Sequence, residues 1–262
     1  MTELSVTKGN YMEILTYGNG ERLAACSSLV ARGAPSGCRI IILPIPTTRD
    51  GKTVSGTDIP LSDVVSATEG ETLVCGYGLP EDMASGIVAR GGFIYDGALD
   101  EELILENARL TAQGTVGWLL LNTGRSPSEL AVGIVGYGRI GRELLRLLLF
   151  LGCTVRVYSS SERTQRELSE LEIDVRDSRG SADLSGLDIL INTAPAPLFS
   201  AKSLAKYQGL KVVDLASGEY LAGVEGLIKL PSVPERYFAV GAGRAYARRI
   251  LCRLCESSER GE

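Results

Sequence analysis

The sequence predicts an α/β protein with a doubly wound parallel-sheet domain in its second half, a smaller α/β domain before it, and long helices linking the two. Three observations predict this. Short apolar runs alternate with helical periodicity from Ala131 to Leu230, the pattern of strands buried on both faces between crossover helices. A shorter alternation of the same kind runs from Arg39 to Tyr95. Between them Leu103, Ala108, Ala112, Val116, Leu119 and Leu120 recur at helical spacing, so 100–122 is expected as one long helix or two consecutive ones.

Taken in order, residues 1–38 are rich in small and polar side chains, and only Tyr11 to Tyr17 has the character of a short element. Arg39 to Leu43 is a continuous apolar run stopped by Pro44-Ile45-Pro46, a buried parallel strand ending in a loop. Thr72 to Cys75 is a second strand. Pro80 opens a helix over 81–90, and Phe93 to Tyr95 is a third strand. After the turn-rich Asn122 to Pro127, strands are predicted at 131–135, 154–158, 189–191, 212–215 and, weakly, 226–230. Helices are predicted at 139–151, 163–171, near 200–207 and at 244–256. The domain organisation follows: 1–100 on the substrate side, 101–127 as linking helix, 128–240 as the larger domain, and 241–262 packing back toward the linker.

The chain has 262 residues, 27 basic against 32 acidic, for a formal net charge of −5. That balance gives no reason to expect nucleic acid or an anionic membrane surface as partner, and points to a small molecule. Histidine is absent, which removes His-based triads, His general bases and nearly every standard zinc or non-haem iron site. The six cysteines lack the spacing of a secreted framework and suggest free thiols in a cytoplasmic protein. Cys252 and Cys255 form a lone CxxC inside a helix, read as packing residues rather than a metal site. No apolar stretch approaches the roughly 20 residues of a membrane helix, and no leader pattern opens the chain.

Gly136-Tyr137-Gly138-Arg139-Ile140-Gly141 stands directly after an apolar strand and directly before a leucine-rich helix. In that frame the first glycine permits a tight turn, the second lets backbone approach a pyrophosphate, and the third lets helix pack closely on strand. The helix N-terminus faces the anion, which makes this the mark of a Rossmann-type dinucleotide site. About 20 residues on, where an NAD site places an acid on the ribose 2′-OH, the sequence has Ser159-Ser160-Ser161 with Arg163 close behind. Hydroxyls and a guanidinium suit a 2′-phosphate, so the expected cofactor is NADP(H). The alternative is a helix cap at Ser161 with Glu162 still reaching the ribose. The turn Asn192-Thr193-Ala194-Pro195 ends the next strand and is expected beside the nicotinamide ribose. Asp214 and Ser217 fall at the same rim, Asp214 either in proton handling or as a turn cap.

In their joint order the motifs resemble the NADP-dependent Rossmann component of dipicolinate synthase. The carriers are Ile42 to Pro46, Asn107 to Gly114, the glycine loop, Tyr158 to Ser161, Ile191 to Pro195, Asp214 to Ser217, and Gly241 to Arg244. The resemblance implies oxidation of a dihydrodipicolinate-type ring derived from 4-hydroxy-tetrahydrodipicolinate. It further implies NADP+ as hydride acceptor and a flavoprotein-like second component of the synthase as partner. It implies roles for Thr111 and Gln113 in orienting the substrate, although the family's pattern has an acid where Gln113 stands. Asp214 is the remaining carboxylate for proton handling. The family's opening strand and glycine turn are not visible before Tyr11.

A small dicarboxylate needs cationic partners, and Arg49, Lys52, Arg90, Arg109 and Arg244 are the candidates. A second reading keeps the fold but makes the protein a non-catalytic NADP-binding component with a regulatory or assembly role. A third, another dehydrogenase of a small carboxylic acid such as a 2-hydroxy acid, lacks the His acid by which those enzymes resemble one another. A symmetric homo-oligomer is expected of such α/β proteins.

Overall fold

The computed structural model describes residues 4–9, 12–179, 182–196, 198–216 and 218–259. Two compact units emerge. One comprises the chain up to Asn107 and again from Phe238 onward; the other is Ala108–Tyr237.

The first unit opens with an antiparallel pair, β1 (Leu4–Gly9) and β2 (Met12–Tyr17). β2 continues into a parallel sheet with β3 (Arg39–Ile42), β4 (Leu73–Gly76) and β5 (Phe93–Asp96), in the order β1-β2-β3-β4-β5. Strand side chains alternate between two faces. Ile14, Ile40, Ile42 and Cys75 pack with α1 (Glu21–Gly33) and the last helix, α8 (Val233–Glu259). Leu15, Ile41, Leu43 and Val74 pack with α2 (Leu61–Ala67) and α3 (Glu81–Ala89). A Cβ on Gly243 of α8 would overlap the Arg22 carbonyl oxygen of α1, so the two helices touch backbone to backbone.

The long helix is continuous as α4 (Glu101–Thr123), and the division between units falls inside it, after Asn107. α8 is longer than its periodicity indicates because it bends at Phe238 (φ −139°, ψ 35°), where the chain returns to the first unit. Asp100 caps α4, accepting from Glu102 N and Leu103 N, and its other oxygen accepts from Tyr95 OH at 2.8 Å and Arg249 Nε at 2.7 Å. Burial works to raise the Asp100 pKa, but the hydrogen bonds from Arg249 and Tyr95 outweigh it, so the carboxyl sits below its usual 3.8.

The second unit is a six-stranded, wholly parallel sheet in the order β11-β10-β9-β6-β7-β8. Its strands are β6 (Ala131–Val135), β7 (Thr154–Tyr158), β8 (Asp174–Arg176), β9 (Ile189–Asn192), β10 (Lys211–Asp214) and β11 (Ile228–Lys229). α5 (Arg139–Phe150), α6 (Glu162–Glu170) and the short α7 (Ala201–Leu204) connect them. The strand order reverses between β6 and β9, the switch point at which doubly wound sheets bind ligands.

Four of these elements, β1, α1, α2 and β8, escape the sequence reading. α1 carries its periodicity on Ala, Cys and Ser, and α2 is a seven-residue helix between loops. β8 is a three-residue edge strand whose Asp174 and Arg176 face solvent. Among the described residues no helix is long and apolar enough to cross a membrane, and no three His, Cys, Asp or Glu side chains cluster as metal ligands.

Candidate functional site

At the carboxyl end of β6 the chain turns through Gly136 at φ 91°, a left-handed conformation that only glycine adopts without strain. A Cβ there would also stand 2.9 Å from Thr193 Oγ1. Thr193 closes the turn, its backbone N–H and its hydroxyl both donating to the Val135 carbonyl at 2.9 Å. A Cβ on Gly141 would overlap the Gly136 carbonyl oxygen, so the third glycine is what lets the first turn of α5 rest on the loop. Gly138 differs from both. It has ordinary dihedrals (φ −80°, ψ −160°), and a Cβ built on it meets nothing within 4 Å. No protein atom requires glycine there, and the open space lies at the N-terminus of α5.

α5 has no side-chain cap and no acid in its first turn, so its orphan N–H groups and the positive end of its dipole meet no competing carboxylate from that turn. Arg139 is exposed at the helix start, and the Arg142 guanidinium lies 5.1 Å from the Tyr137 ring centroid. Burial raises the Tyr137 pKa, with Arg142 acting against it. Ile140 packs on the core beneath. This arrangement fits a dinucleotide pyrophosphate.

The serine turn after β7 divides its labour. Ser159 is buried, its hydroxyl accepting from Ser161 N at 3.2 Å and its carbonyl from Gln165 Nε2 at 2.7 Å. Ser161 caps α6 by accepting from Thr164 N at 3.3 Å. Ser160 and Arg163 are exposed and available to a ligand.

At the ends of β9 and β10, Asn192 and Asp214 form a buried pair. Asn192 Nδ2 donates to Asp214 Oδ1 at 2.8 Å, and the same oxygen accepts from Ala216 N at 3.2 Å. Asn192 Oδ1 accepts from Ala194 N, shaping the turn that leads to exposed Pro195. Asp214 is 2% exposed, and its Oδ2 has no hydrogen-bond partner among the described residues. Pro197 and Ser217 lie outside the described residues. Sequence inspection misses the Asn192–Asp214 pair because the two are 22 positions apart; parallel pairing of β9 with β10 brings them level.

Thr111 and Gln113 are not brought together. Side chains two apart on a helix point to different sides, and α4 buries Thr111 while Gln113 is exposed. Of the candidate cations, Arg90 is committed elsewhere, donating to the Ser66 and Thr68 carbonyls at the end of α2. Arg49, Lys52, Arg109 and Arg244 are exposed. Among the cysteines, Cys26, Cys75 and Cys153 are buried, with the Cys26 thiol pushed up to about 12 by burial. Cys252 and Cys255, expected as packing residues, are instead exposed on α8, because they lie on its solvent side. A cavity of about 440 Å³ in the first unit, lined by Tyr95, Asp100, Glu102 and Arg249, includes none of the glycine-loop residues.

Residues 106–219 match the family model described as D-isomer specific 2-hydroxyacid dehydrogenase, NAD binding domain. No curated protein matches the sequence significantly. Among solved structures, a dipicolinate synthase chain from Bacillus subtilis is similar over 97% of this chain and 98% of its own, with TM-score 0.77 at 18% identity. A dipicolinate synthase chain from Bacillus halodurans is similar over 82% and 79%, with TM-score 0.68 at 22% identity. A transhydrogenase from Sinorhizobium meliloti is similar over 86% and 75%, with TM-score 0.61 at 16% identity. At these identities the likeness is one of fold. The second unit thus has the doubly wound Rossmann topology, in a chain whose fold is shared with those dipicolinate synthase chains.

Proposed function

We propose that the protein is an NADP(H)-dependent oxidoreductase of a small carboxylic acid, with the dipicolinate synthase reaction as the best-supported case. Gly138 carries this reading. Among the described residues no atom meets a Cβ built on it, and a pyrophosphate seated on the N-terminus of α5 accounts for the missing side chain. Exposed Ser160 and Arg163 favour a 2′-phosphate, while Ser159 and Ser161 hold the turn and the helix cap.

In this reading the substrate is a dihydrodipicolinate-type ring, formed by loss of water from 4-hydroxy-tetrahydrodipicolinate. When bound, the nicotinamide of NADP+ accepts a hydride from that ring, which becomes aromatic dipicolinate as a proton is released. The chain supplies the rest. Loop and helix N–H groups hold the pyrophosphate, and Asn192 fixes the Thr193–Ala194–Pro195 turn. Asp214, buried beside that turn and with its Oδ2 unpartnered among the described residues, is the carboxylate that handles the proton. Thr111 and Gln113 orient the substrate from α4, and Arg109 of the same unit is the candidate partner of its carboxylates. The setting is the cytoplasm, with a second copy of the chain and a flavoprotein-like component as partners.

One observation favours a second reading, a non-catalytic nucleotide-binding component. Gln113 puts an amide where the resembled family has an acid, and Thr111 does not share its face. The deciding experiment mixes the protein with NADP+ and freshly generated 4-hydroxy-tetrahydrodipicolinate, with and without a candidate flavoprotein-like partner, and follows the absorbance of reduced nicotinamide. Turnover is expected, and Asp214→Asn should lower it by about a hundredfold while leaving nucleotide affinity unchanged. Tight nucleotide binding without turnover in either mixture would favour the second reading. Absence of nucleotide binding would remove both.

A further inference from the structure

We propose that Arg179, on the turn after β8, is a specificity-determining residue that binds the 2′-phosphate of the cofactor opposite Arg163. This rests on the NADP(H) reading above and adds a wall to that site which the serine turn alone does not supply.

The backbone places the two turns side by side. β7 and β8 pair in parallel with Tyr158 level with Arg176, and the pairing continues past the strands. Ser159 N donates to the Arg176 carbonyl at 3.0 Å, and Ser178 N donates to the Ser159 carbonyl at 3.4 Å. The 176–179 segment is therefore laced to the turn that carries Ser160 and leads to Arg163. Ser178 is 1% exposed, yet its hydroxyl has no hydrogen-bond partner among the described residues. Arg179 itself is exposed and held by Asp177, with Nε 3.0 Å from both carboxylate oxygens and Nη2 2.8 Å from Oδ2. It also lies within electrostatic reach of Glu162, the first residue of α6.

An exposed pair of this kind is screened by solvent and adds little, so Asp177 orients Arg179 without capturing it. A phosphate monoester, with close to two charges and three acceptor oxygens at neutral pH, outcompetes a single carboxylate for a guanidinium. A ribose 2′-OH has no such claim. It would instead donate to Asp177 or Glu162, so the same segment discriminates between the two nucleotides.

The test uses the full chain and titrates adenosine 2′,5′-bisphosphate and 5′-AMP by calorimetry. Wild type is expected to prefer the bisphosphate, the more so above pH about 6, where the phosphate loses its second proton. Arg179→Gln should weaken the bisphosphate about tenfold, the worth of one charge-assisted hydrogen bond, and leave 5′-AMP unchanged. Asp177→Asn, which removes the competing carboxylate, should tighten the bisphosphate. If wild type prefers the bisphosphate and Arg179→Gln retains the full preference, the role of Arg179 is overturned while the NADP(H) reading stands. A wild type without preference overturns both. Equal weakening of both ligands would also exclude Arg179 as a 2′-phosphate group.

Discussion

After β2 the chain turns through Gly18, Asn19 and Gly20 into α1; after β6 it turns through Gly136, Tyr137 and Gly138 into α5. Both turns sit at the carboxyl end of a parallel strand, and both first glycines have positive φ, 108° and 91°. They differ in what fills the space. Five residues past the first glycine the second unit has Gly141, which lets helix rest on loop, and the first unit has Leu23. A Cβ on Gly18 would meet Leu23 Cδ2 at 3.3 Å and Pro44 Cγ at 3.7 Å, and one on Gly136 would meet Thr193 Oγ1 at 2.9 Å and Ala194 Cβ at 3.2 Å, so the protein itself packs both first glycines. α1 also carries Glu21 in its first turn, which repels an anion at the helix N-terminus; α5 carries no acid there. A strand, glycine and helix turn is thus a scaffold common to both units, and the acid-free start of α5 with the open space at Gly138 sets the second apart.

Substitutions should separate the two turns. The largest effect belongs to Gly141→Ala, whose methyl must displace the Gly136 carbonyl. Nucleotide affinity measured by calorimetry should fall by about a hundredfold, and stability by about 1–3 kcal/mol in denaturant titration, as for overpacking. Normal nucleotide binding by this variant would break the comparison. Gly243→Ala, which clashes with the Arg22 carbonyl in the first unit, should cost similar stability and leave the affinity of the folded protein for nucleotide untouched. Gly138→Ala should show the reverse: an unchanged melting temperature with affinity lowered about tenfold, because its methyl meets only the ligand.

Smaller effects test the supports. Ser161→Ala removes the α6 cap and should cost about 1 kcal/mol in denaturant titration. Asp100 anchors the first unit and Asp188 the second, where Asp188 accepts from Ala131 N at 2.8 Å and pairs with Arg125. Each carboxyl lies below its usual 3.8 when folded, Asp188 chiefly through the Ala131 hydrogen bond. Their contribution is therefore complete above pH about 4 and lost as pH falls through the lowered folded values. Asp100→Asn and Asp188→Asn should each flatten the acid limb of stability against pH followed by circular dichroism.

The glycine loop was legible in the sequence because its signal is local: an apolar strand, three glycines at fixed spacing and a leucine-rich helix within about two dozen residues. β3, β4, β6, β7, β9 and β10 were legible for the same reason, as apolar runs bounded by turn residues. α1 was not, since Ala24, Ala25, Cys26 and Ser27 form its middle without an apolar contrast. β8 was not, because an edge strand has a solvent side and can be written in Asp174, Val175 and Arg176. The first unit's own glycine turn, Gly18 to Gly20 after β2, follows Tyr11.

What the sequence determined by itself is the class of fold, the position of the glycine loop and the exclusion of histidine chemistry, all carried by composition or by residues close in the chain. The tertiary structure alone decided that space is open at Gly138, that Asp214 is buried against Asn192, that Thr111 and Gln113 point apart, and that the Arg179 segment lies beside the serine turn. The physical reason is range. Propensity and periodicity act over a few residues, whereas the space above Gly18 is closed by Pro44, the Gly136 turn by Thr193 and the Asp214 pair by Asn192, each placed by parallel strand pairing across long stretches of chain.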